Sequence, residues 1–341
     1  MIKIFHFTSN LSGGGAETQL LLLAKSLTNV YQNFVVYNTV NDSFPFNDFP
    51  NIKFISNSEF LMLKNSLNFN NLIFHIWIPD VFTHLSPLFF FKFRKITILG
   101  VRNKYRLNSI KRIYQFLCYF FFSNIVSNTP SSIHNYFYRL AFGKYFLFIP
   151  NAIKYNSLLH NDLNFKKFEL LFVGRFEMHK GVLDLLNSFT KLNDASVNLK
   201  LVGTGSLFKS IKNKFNKCSN LEIVGYLDDP IDYFYHSECL ILPSYYEGMP
   251  NVAFEALSQN CILILSDIPQ NRLWFTVDSV IYFKPGDYLD LLRALKLFLS
   301  LSLEQKRYML SKSKSVIKKL TIENYSNQYI RLYKNIYEKS I

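Results

Sequence analysis

Short apolar runs bounded by Gly, Pro, Asn and Ser recur along this chain, and between them lie stretches whose apolar positions repeat at helical spacing. In the first half the runs predict strands over residues 2–7, 34–40, 53–55, 72–76, 96–101, 125–127 and 146–149. Helices are predicted over 17–27, 81–91, 111–122 and 131–140. The second half repeats the scheme, with strands over 170–173, 199–202, 221–224, 239–242, 262–265 and 280–282. Strands that recur every ~20–30 residues leave room for crossovers to parallel neighbours. They are apolar throughout instead of alternating, the pattern of strands covered on both faces. The expectation is an α/β chain of two doubly wound halves: residues 1–150, a polar linker over 151–167 that follows Pro150, and residues 168–321. A last segment, 322–341, carries Tyr325, Tyr329, Leu332, Tyr333 and Ile336 at helical spacing. No internal sequence repeat is visible.

Composition narrows the class. A chain of 341 residues is long enough for two domains, each with its own core. With 49% hydrophobic residues, 35 Phe and 21 Tyr against 18% charged residues, disorder is excluded as the overall state. Such a chain needs much apolar burial or a surface that meets lipid. Cys118, Cys218, Cys239 and Cys261 lie far apart with no C-x-x-C pair, which argues against a disulfide framework or a zinc site and for a reducing compartment. The first residues, Met1 to Phe7, read as a strand and are too short for a signal-peptide core. No run reaches the ~18 uncharged apolar residues of a membrane span. The expected location is the cytoplasm, with peripheral association at the inner face of the membrane. The formal charge of +14 suits nucleic acid, anionic lipid or a phosphorylated substrate, and does not choose among them.

In open α/β sheets ligands bind beyond the carboxyl ends of the strands, and three segments there carry chemistry. Gly13-Gly14-Gly15-Ala16-Glu17 lies between the first strand and an apolar helix. Glycines there let backbone N–H groups approach a phosphate at a helix N-terminus, although the segment also reads as a simple turn. Gly174-Arg175-Phe176-Glu177-Met178-His179-Lys180-Gly181 follows the first strand of the second half. Arg175 and Lys180 can hold a diphosphate, one as a fork and one as a point charge, and can stabilise charge on a departing nucleoside diphosphate. Taken alone, the segment is equally a solvated basic loop. Glu247-Gly248-Met249-Pro250-Asn251 leads, with Asn251 as the expected cap, into a helix over 251–258 that carries Glu255. The two carboxylates can accept hydrogen bonds from vicinal hydroxyls of a hexose or a ribose, or can simply favour the helix start.

Together these segments resemble the retaining glycosyltransferases of family 4 over nearly the whole chain. Gly14-Gly15-Ala16-Glu17 looks like the family's G-G-A-E, and Val173 to Gly181 like its V-G-R-x-x-x-x-K-G. Pro243-Ser244-Tyr245-Tyr246-Glu247 through Glu255 looks like its P-S-x-x-E-G-x-P and E-x7-E signature. Leu201 to Gly205, Val224-Gly225-Tyr226 and Pro150-Asn151-Ala152-Ile153 fall where relatives have similar segments. The resemblance implies the GT-B fold, two doubly wound Rossmann-like domains facing a central cleft, with a C-terminal helix that crosses back to the first domain. It implies transfer with retention and without a metal, the nucleotide sugar being a substrate and no cofactor being expected. Arg175 and Lys180 would hold the diphosphate, Glu247 the donor sugar, and Glu255 the ribose. Backbone at Gly174, Gly248, Met249 and Asn251 would meet sugar and phosphate, with Gly14 and Gly15 closing the cleft. Relatives often place a His in a strand-end loop of the first domain. Here Trp77-Ile78-Pro79-Asp80 puts Asp80 where that His is common, so Glu17, His75, Asp80 and Arg102 are candidates on the acceptor and donor-sugar side, with a structural role the first reading of His75. The segment after Pro269 also lacks a Glu frequent in the family.

Arg102, Lys104, Arg106, Lys111 and Arg112 lead into an aromatic run over 114–122, and Arg94 and Lys95 follow another over 88–93. Basic residues beside bulky apolar ones suit a helix lying on an anionic membrane, or else a core run with solvated charges. The expected partners are a UDP- or GDP-sugar, a lipid-linked glycan of surface polysaccharide or lipopolysaccharide synthesis, and an anionic membrane surface. Two alternatives stay in view. One is a nucleotide-sugar-processing enzyme of epimerase type, for which no acid/base set is visible. The other is a basic protein that binds nucleic acid or membrane without catalysis, and it lacks any recognition motif for nucleic acid. Asp228-Asp229 resembles a metal motif only superficially and is better read as a helix start.

Overall fold

The apolar runs form parallel strands in a computed structural model, which describes the chain except residues 12–13, 43, 79, 82–84, 102–121, 130–144, 155–168, 216–217 and 341. The chain makes two units: residues 1–152 with 320–341, and residues 153–319.

In the first unit the strands are β1 (Lys3–Phe7), β2 (Gln32–Tyr37), β3 (Ile52–Ser56), β4 (Leu72–Ile76), β5 (Thr97–Val101), β6 (Asn124–Ser127) and β7 (Tyr145–Phe148). They run parallel in the order β3-β2-β1-β4-β5-β6-β7. Every residue of β4 and β5 is buried, as expected for strands with helices on both faces. One face collects phenylalanines, among them Phe5, Phe7, Phe60, Phe74 and Phe90. Phe7 meets Phe60 and Phe90 edge-on at 5.0 and 4.9 Å, contacts worth about 0.5–1.5 kcal/mol each beyond area burial. The other face is covered by α1 (Gly15–Ser26) and the C-terminal helix Ile322–Glu338, through Leu20, Leu23, Tyr325, Tyr329 and Tyr333. Thr321 caps that last helix by accepting from the Asn324 N–H.

A polar seam runs through this second face. The Trp77 indole N–H donates to His6 Nδ1 at 3.2 Å, and His6 Nε2 bonds Asn33 Oδ1 at 3.1 Å. With Nδ1 accepting, the proton sits on Nε2, and burial pushes the His6 imidazole down to about 4. Beside it His75 Nδ1 meets the Tyr333 hydroxyl at 2.8 Å, and the His75 ring stacks on Trp77 at 4.6 Å.

Three elements differ from the sequence expectation. The strand over 34–40 ends at Tyr37, and Thr39–Val40 pairs instead with Asn10–Leu11 in a separate short ladder. Of the helix expected over 81–91, residues 82–84 lie outside the described residues, and a helix, α3, spans Pro87–Lys92 with Pro87 in the first-turn position that Pro favours. An unanticipated helix, α2 (Asn57–Leu63), is started by a capping box: the Ser56 hydroxyl accepts from the Glu59 N–H and the Glu59 carboxylate from the Ser56 N–H. The helices expected over 111–122 and 131–140 lie outside the described residues.

The second unit is built on β8 (Glu169–Val173), β9 (Asn198–Val202), β10 (Leu221–Gly225), β11 (Cys239–Leu242), β12 (Ile262–Ser266) and β13 (Ile281–Phe283). All pairings are parallel, in the order β10-β9-β8-β11-β12-β13. The helices are α4 (Val182–Leu192), α5 (Phe208–Phe215), α6 (Ile231–His236), α7 (Asn251–Ser258), α8 (Pro269–Arg272), α9 (Tyr288–Ser300) and α10 (Leu303–Ile317). A buried ion pair, Lys306 Nζ to Glu238 Oε1 at 2.6 Å, ties α10 to the residue before β11. The strand order reverses between β8 and β11, where an open sheet offers a crevice at its carboxyl end.

Candidate functional site

The two loops at that reversal hold Arg175, Lys180 and Glu247, the residues singled out in the sequence. The loop after β8 runs from Gly174 to Gly181, and the loop after β11 from Pro243 to Pro250. Gly181 adopts φ +66°, and a Cβ there would lie 2.0 Å from the Pro243 carbonyl oxygen. Only glycine lets the loops touch backbone to backbone at this point. Gly203 does the same for the neighbouring strand end: at φ +139°, its Cβ would fall 2.0 Å from the Gly174 carbonyl. The Tyr245 N–H donates to the His179 carbonyl at 2.9 Å, and the His179 ring stacks on Tyr246 at 4.9 Å.

This close approach brings Lys180 Nζ to 2.6 Å from Glu247 Oε1, and the Ser244 hydroxyl donates to the same oxygen at 2.6 Å. Arg175 is exposed and has no ion pair or hydrogen-bond partner among the described residues. Burial first, then the Lys180 and Arg175 cations, hold the His179 imidazole below its ordinary range. Glu177 is taken up by Ser206, whose N–H and hydroxyl both donate to its carboxylate at 3.0 and 2.7 Å. These bonds hold it below the usual carboxylate range.

Glu247 precedes α7 and Glu255 lies in the second turn of that helix. The helix starts at Asn251 with Pro250 in the cap position and no side-chain cap, so the expectation that Asn251 caps it is corrected. Proline ahead of the first turn displaces the capping position by one residue. The Asn251 N–H turns back to the Met249 carbonyl at 2.9 Å. Gly248 and Met249 lie in the loop, and Met249 is buried. A helix N-terminus without a side-chain cap favours an anion. Burial pushes the half-buried Glu255 carboxyl up to about 7, opposed by Lys154 and reinforced by Asp229. Lys154 and Asp229 are themselves paired at 3.0 Å. Asp229 also accepts from the Ile231 N–H at the start of α6, the helix start expected of Asp228-Asp229.

In the first unit Gly14 precedes α1 and Gly15 opens it, and Glu17 folds back so that one carboxylate oxygen accepts the Gly14 N–H at 2.5 Å. Glu17 is therefore a helix-capping residue in this structure, buried under its own first turn. His75 takes the structural place that was its first reading. It is fully buried inside β4, between Trp77 and the C-terminal helix, because β4 turns its Ile73, His75 and Trp77 positions toward that helix. Asp80 is exposed beyond the end of β4. Arg102, Lys104, Arg106, Lys111 and Arg112 lie outside the described residues. Among the described residues no three His, Cys, Asp or Glu side chains are grouped as a metal site needs, and no helix is long and apolar enough to cross a membrane. Lys154, Asp229, His179 and Ser244 lie against the candidate residues, and the sequence reading gave none of them a role at the site. Only Ser244 had a signal, its place beside Glu247 in the P-S-x-x-E segment.

A six-stranded doubly wound sheet with paired cation and carboxylates at its point of reversal defines an α/β unit suited to a phosphate-bearing, hydroxyl-bearing ligand. Residues 159–315, which contain Arg175, Lys180, Glu247 and Glu255, match the family described as Glycosyl transferases group 1. Over 118 residues the chain is 35% identical to the capsular polysaccharide biosynthesis glycosyltransferase CapH of Staphylococcus aureus, a match covering 32% of this chain and 33% of that protein. It is 34% identical over 103 residues to the O-antigen biosynthesis glycosyltransferase WbnH of Escherichia coli, covering 30% of this chain and 29% of the relative. The matches thus span about a third of these curated relatives. The crystal structure of Anabaena Alr3699/HepE in complex with UDP and glucose superimposes with a TM-score of 0.79 at 13% identity, over 98% of this chain and 100% of that one. The fold is of the GT-B type, and the likeness to glycosyltransferases in sequence lies in residues 159–315.

Proposed function

We propose that the protein moves a sugar from a UDP- or GDP-sugar onto a lipid-linked glycan during capsule, O-antigen or lipopolysaccharide synthesis, with retention at the anomeric carbon and no metal. The observation that carries this reading is the Lys180–Glu247 pair at the sheet reversal, with Arg175 unpaired in the same loop. Lys180 and Arg175 neutralise the charge that gathers on the diphosphate as the bond from the anomeric carbon to phosphate oxygen breaks. The acceptor hydroxyl forms the new bond on the same face, and its proton passes to the departing phosphate oxygen. Two cations then do what a divalent ion does in metal-dependent transferases. Glu247 accepts from donor-sugar hydroxyls and Glu255 from the ribose diol, while N–H groups about Gly174, Gly248, Met249 and Asn251 meet phosphate and sugar. The UDP and glucose of the Anabaena structure support the donor class, and the polysaccharide roles of the CapH and WbnH relatives support the pathway class.

The membrane part rests on α2 and α3. Met62 and Leu88 are 73% and 77% exposed, and Leu61, Leu63 and Phe91 are exposed beside them. Phe60 and Phe89 join the two helices at 5.9 Å, and Lys64, Lys92 and Arg94 lie over the rings of Phe89, Phe93 and Phe91. Apolar side chains beside cations fit an anionic bilayer, and Lys104, Arg106, Lys111 and Arg112 are proposed as further membrane contacts on their sequence alone. Asp80 and Arg102 are proposed on the acceptor side.

The test is release of nucleoside diphosphate from a panel of nucleotide sugars with lipid-linked glycan extracts, in EDTA, with the anomeric configuration of the product read by NMR. Release in EDTA with the donor's configuration kept is expected. No release from any donor by folded protein, a metal requirement, or an inverted product each overturns the corresponding part.

A further inference from the structure

Behind the Lys180–Glu247 pair lies a row of small polar side chains for which the proposed chemistry has no use. Glu247 Oε1 accepts two hydrogen bonds, from Lys180 Nζ and from the Ser244 hydroxyl, both at 2.6 Å. Among the described residues no donor reaches Oε2. A carboxylate oxygen offers about two lone-pair positions, so Oε1 is filled and Oε2 is open.

Ser244 is fully buried, and its one hydroxyl proton is committed to Glu247. Its backbone is held in turn: the Ser266 hydroxyl, at the end of β12, donates to the Ser244 carbonyl at 2.6 Å. Asn271 in α8 holds Ser266, its amide donating to the Ser266 carbonyl at 2.8 Å. Ser266 and Asn271 are also fully buried, and Asn271 Oδ1 has no partner among the described residues. A buried amide with an unpaired oxygen costs stability, so the bond it does make is where its value lies. The row Glu247–Ser244–Ser266–Asn271 crosses from the loop after β11 to the loop after β12. It fixes the turn whose Pro243 carbonyl sits against Gly181.

We propose that Ser244 is a positioning residue for the donor sugar: with Lys180 it occupies Oε1 of Glu247, so that Oε2 alone receives the sugar hydroxyls, and Ser266 and Asn271 act through Ser244. This rests on the reading of Glu247 as the donor-sugar contact. Without the Ser244 hydroxyl the carboxylate turns about its last torsion and presents either oxygen, and the sugar loses a fixed acceptor.

The experiment compares wild type, Ser244→Ala, Ser266→Ala and the double variant, using whichever UDP- or GDP-sugar the wild type turns over, and UDP or GDP alone as the sugar-free probe. Ser244→Ala is expected to lower kcat/KM for the nucleotide sugar about 10- to 100-fold, the loss of one hydrogen bond to a charged group. Affinity for the bare nucleoside diphosphate should stay within about two-fold, since that ligand has no sugar. Ser266→Ala should show the same pattern more weakly, and the double variant should fall short of the sum, as residues acting through one another do. Wild-type kcat/KM in Ser244→Ala, or an equal loss of diphosphate affinity, overturns the positioning role. A wild type that binds no diphosphate and turns over no donor overturns the functional reading itself, and the proposal falls with it.

Discussion

Lys180 and Glu247 stand 67 residues apart in the chain and 2.6 Å apart in space, with side chains 17% and 10% exposed. Each is the other's counter-charge in a partly dried position, and each is also a group that the proposed donor must engage. The ligand therefore arrives at a carboxylate and an ammonium already held at hydrogen-bond distance, which lowers the ordering that binding has to supply.

Lys180→Ala should reduce turnover by about 10²–10³-fold, the effect of losing a donor aimed at developing negative charge. It should also lower stability by about 1–3 kcal/mol, because Glu247 keeps its burial and loses its ion partner. Steady-state kinetics and thermal unfolding of the variant check both, and full activity would remove Lys180 from the mechanism.

Glu255 gives the fold a pH signature. Its carboxyl is raised from 4.5 to about 7, so over that window the folded protein keeps a proton that the unfolded chain has released. Stability falls as pH rises through the window and stays lower above it. Glu255→Gln should therefore melt higher than wild type at about pH 8, with little difference at about pH 4.5, and should bind nucleoside diphosphate more weakly. A variant that melts lower than wild type at both pH values would contradict this.

His6 works in the opposite direction. Its imidazole is lowered from 6.5 to about 4, so the unfolded chain takes up a proton that the folded protein refuses. Stability present above pH 6.5 is lost as pH falls toward 4, by on the order of 3 kcal/mol. Denaturant unfolding at the two ends of this window should show a smaller acid loss in His6→Gln than in wild type.

The apolar tip of α2 and α3 offers a further check. Met62→Glu together with Leu88→Glu should release the protein from vesicles rich in anionic lipid while nucleotide binding persists. Lys111→Glu with Arg112→Glu should act in the same sense. Sedimentation unchanged by either pair would remove the bilayer from the proposal.

Strands were the most legible part of the sequence, since fully buried parallel strands such as β4, β5 and β12 read as short, mostly apolar runs without alternation. The stripe of Tyr325, Tyr329 and Tyr333 was legible as a helix for a similar local reason. The α2 helix was missed although Ser56 and Glu59 spell out its start, because no long apolar period follows them. His75 read as a strand-end candidate, because its partner Tyr333 lies 258 residues away and leaves no local trace. The same holds for Lys154 with Asp229 and for Ser244 with Ser266: each pair is made by strand order, and strand order is not written at either residue.

The C-terminal helix belongs to the first unit, while the whole second unit, residues 153–319, comes in the sequence between that helix and the strands it covers. During synthesis the second unit is therefore contiguous and can fold as it leaves the ribosome. The first unit cannot cover Trp77 and His75 with Tyr329 and Tyr333 until residues 322–338 have also been made, so its strands precede their cover by the length of a whole second unit.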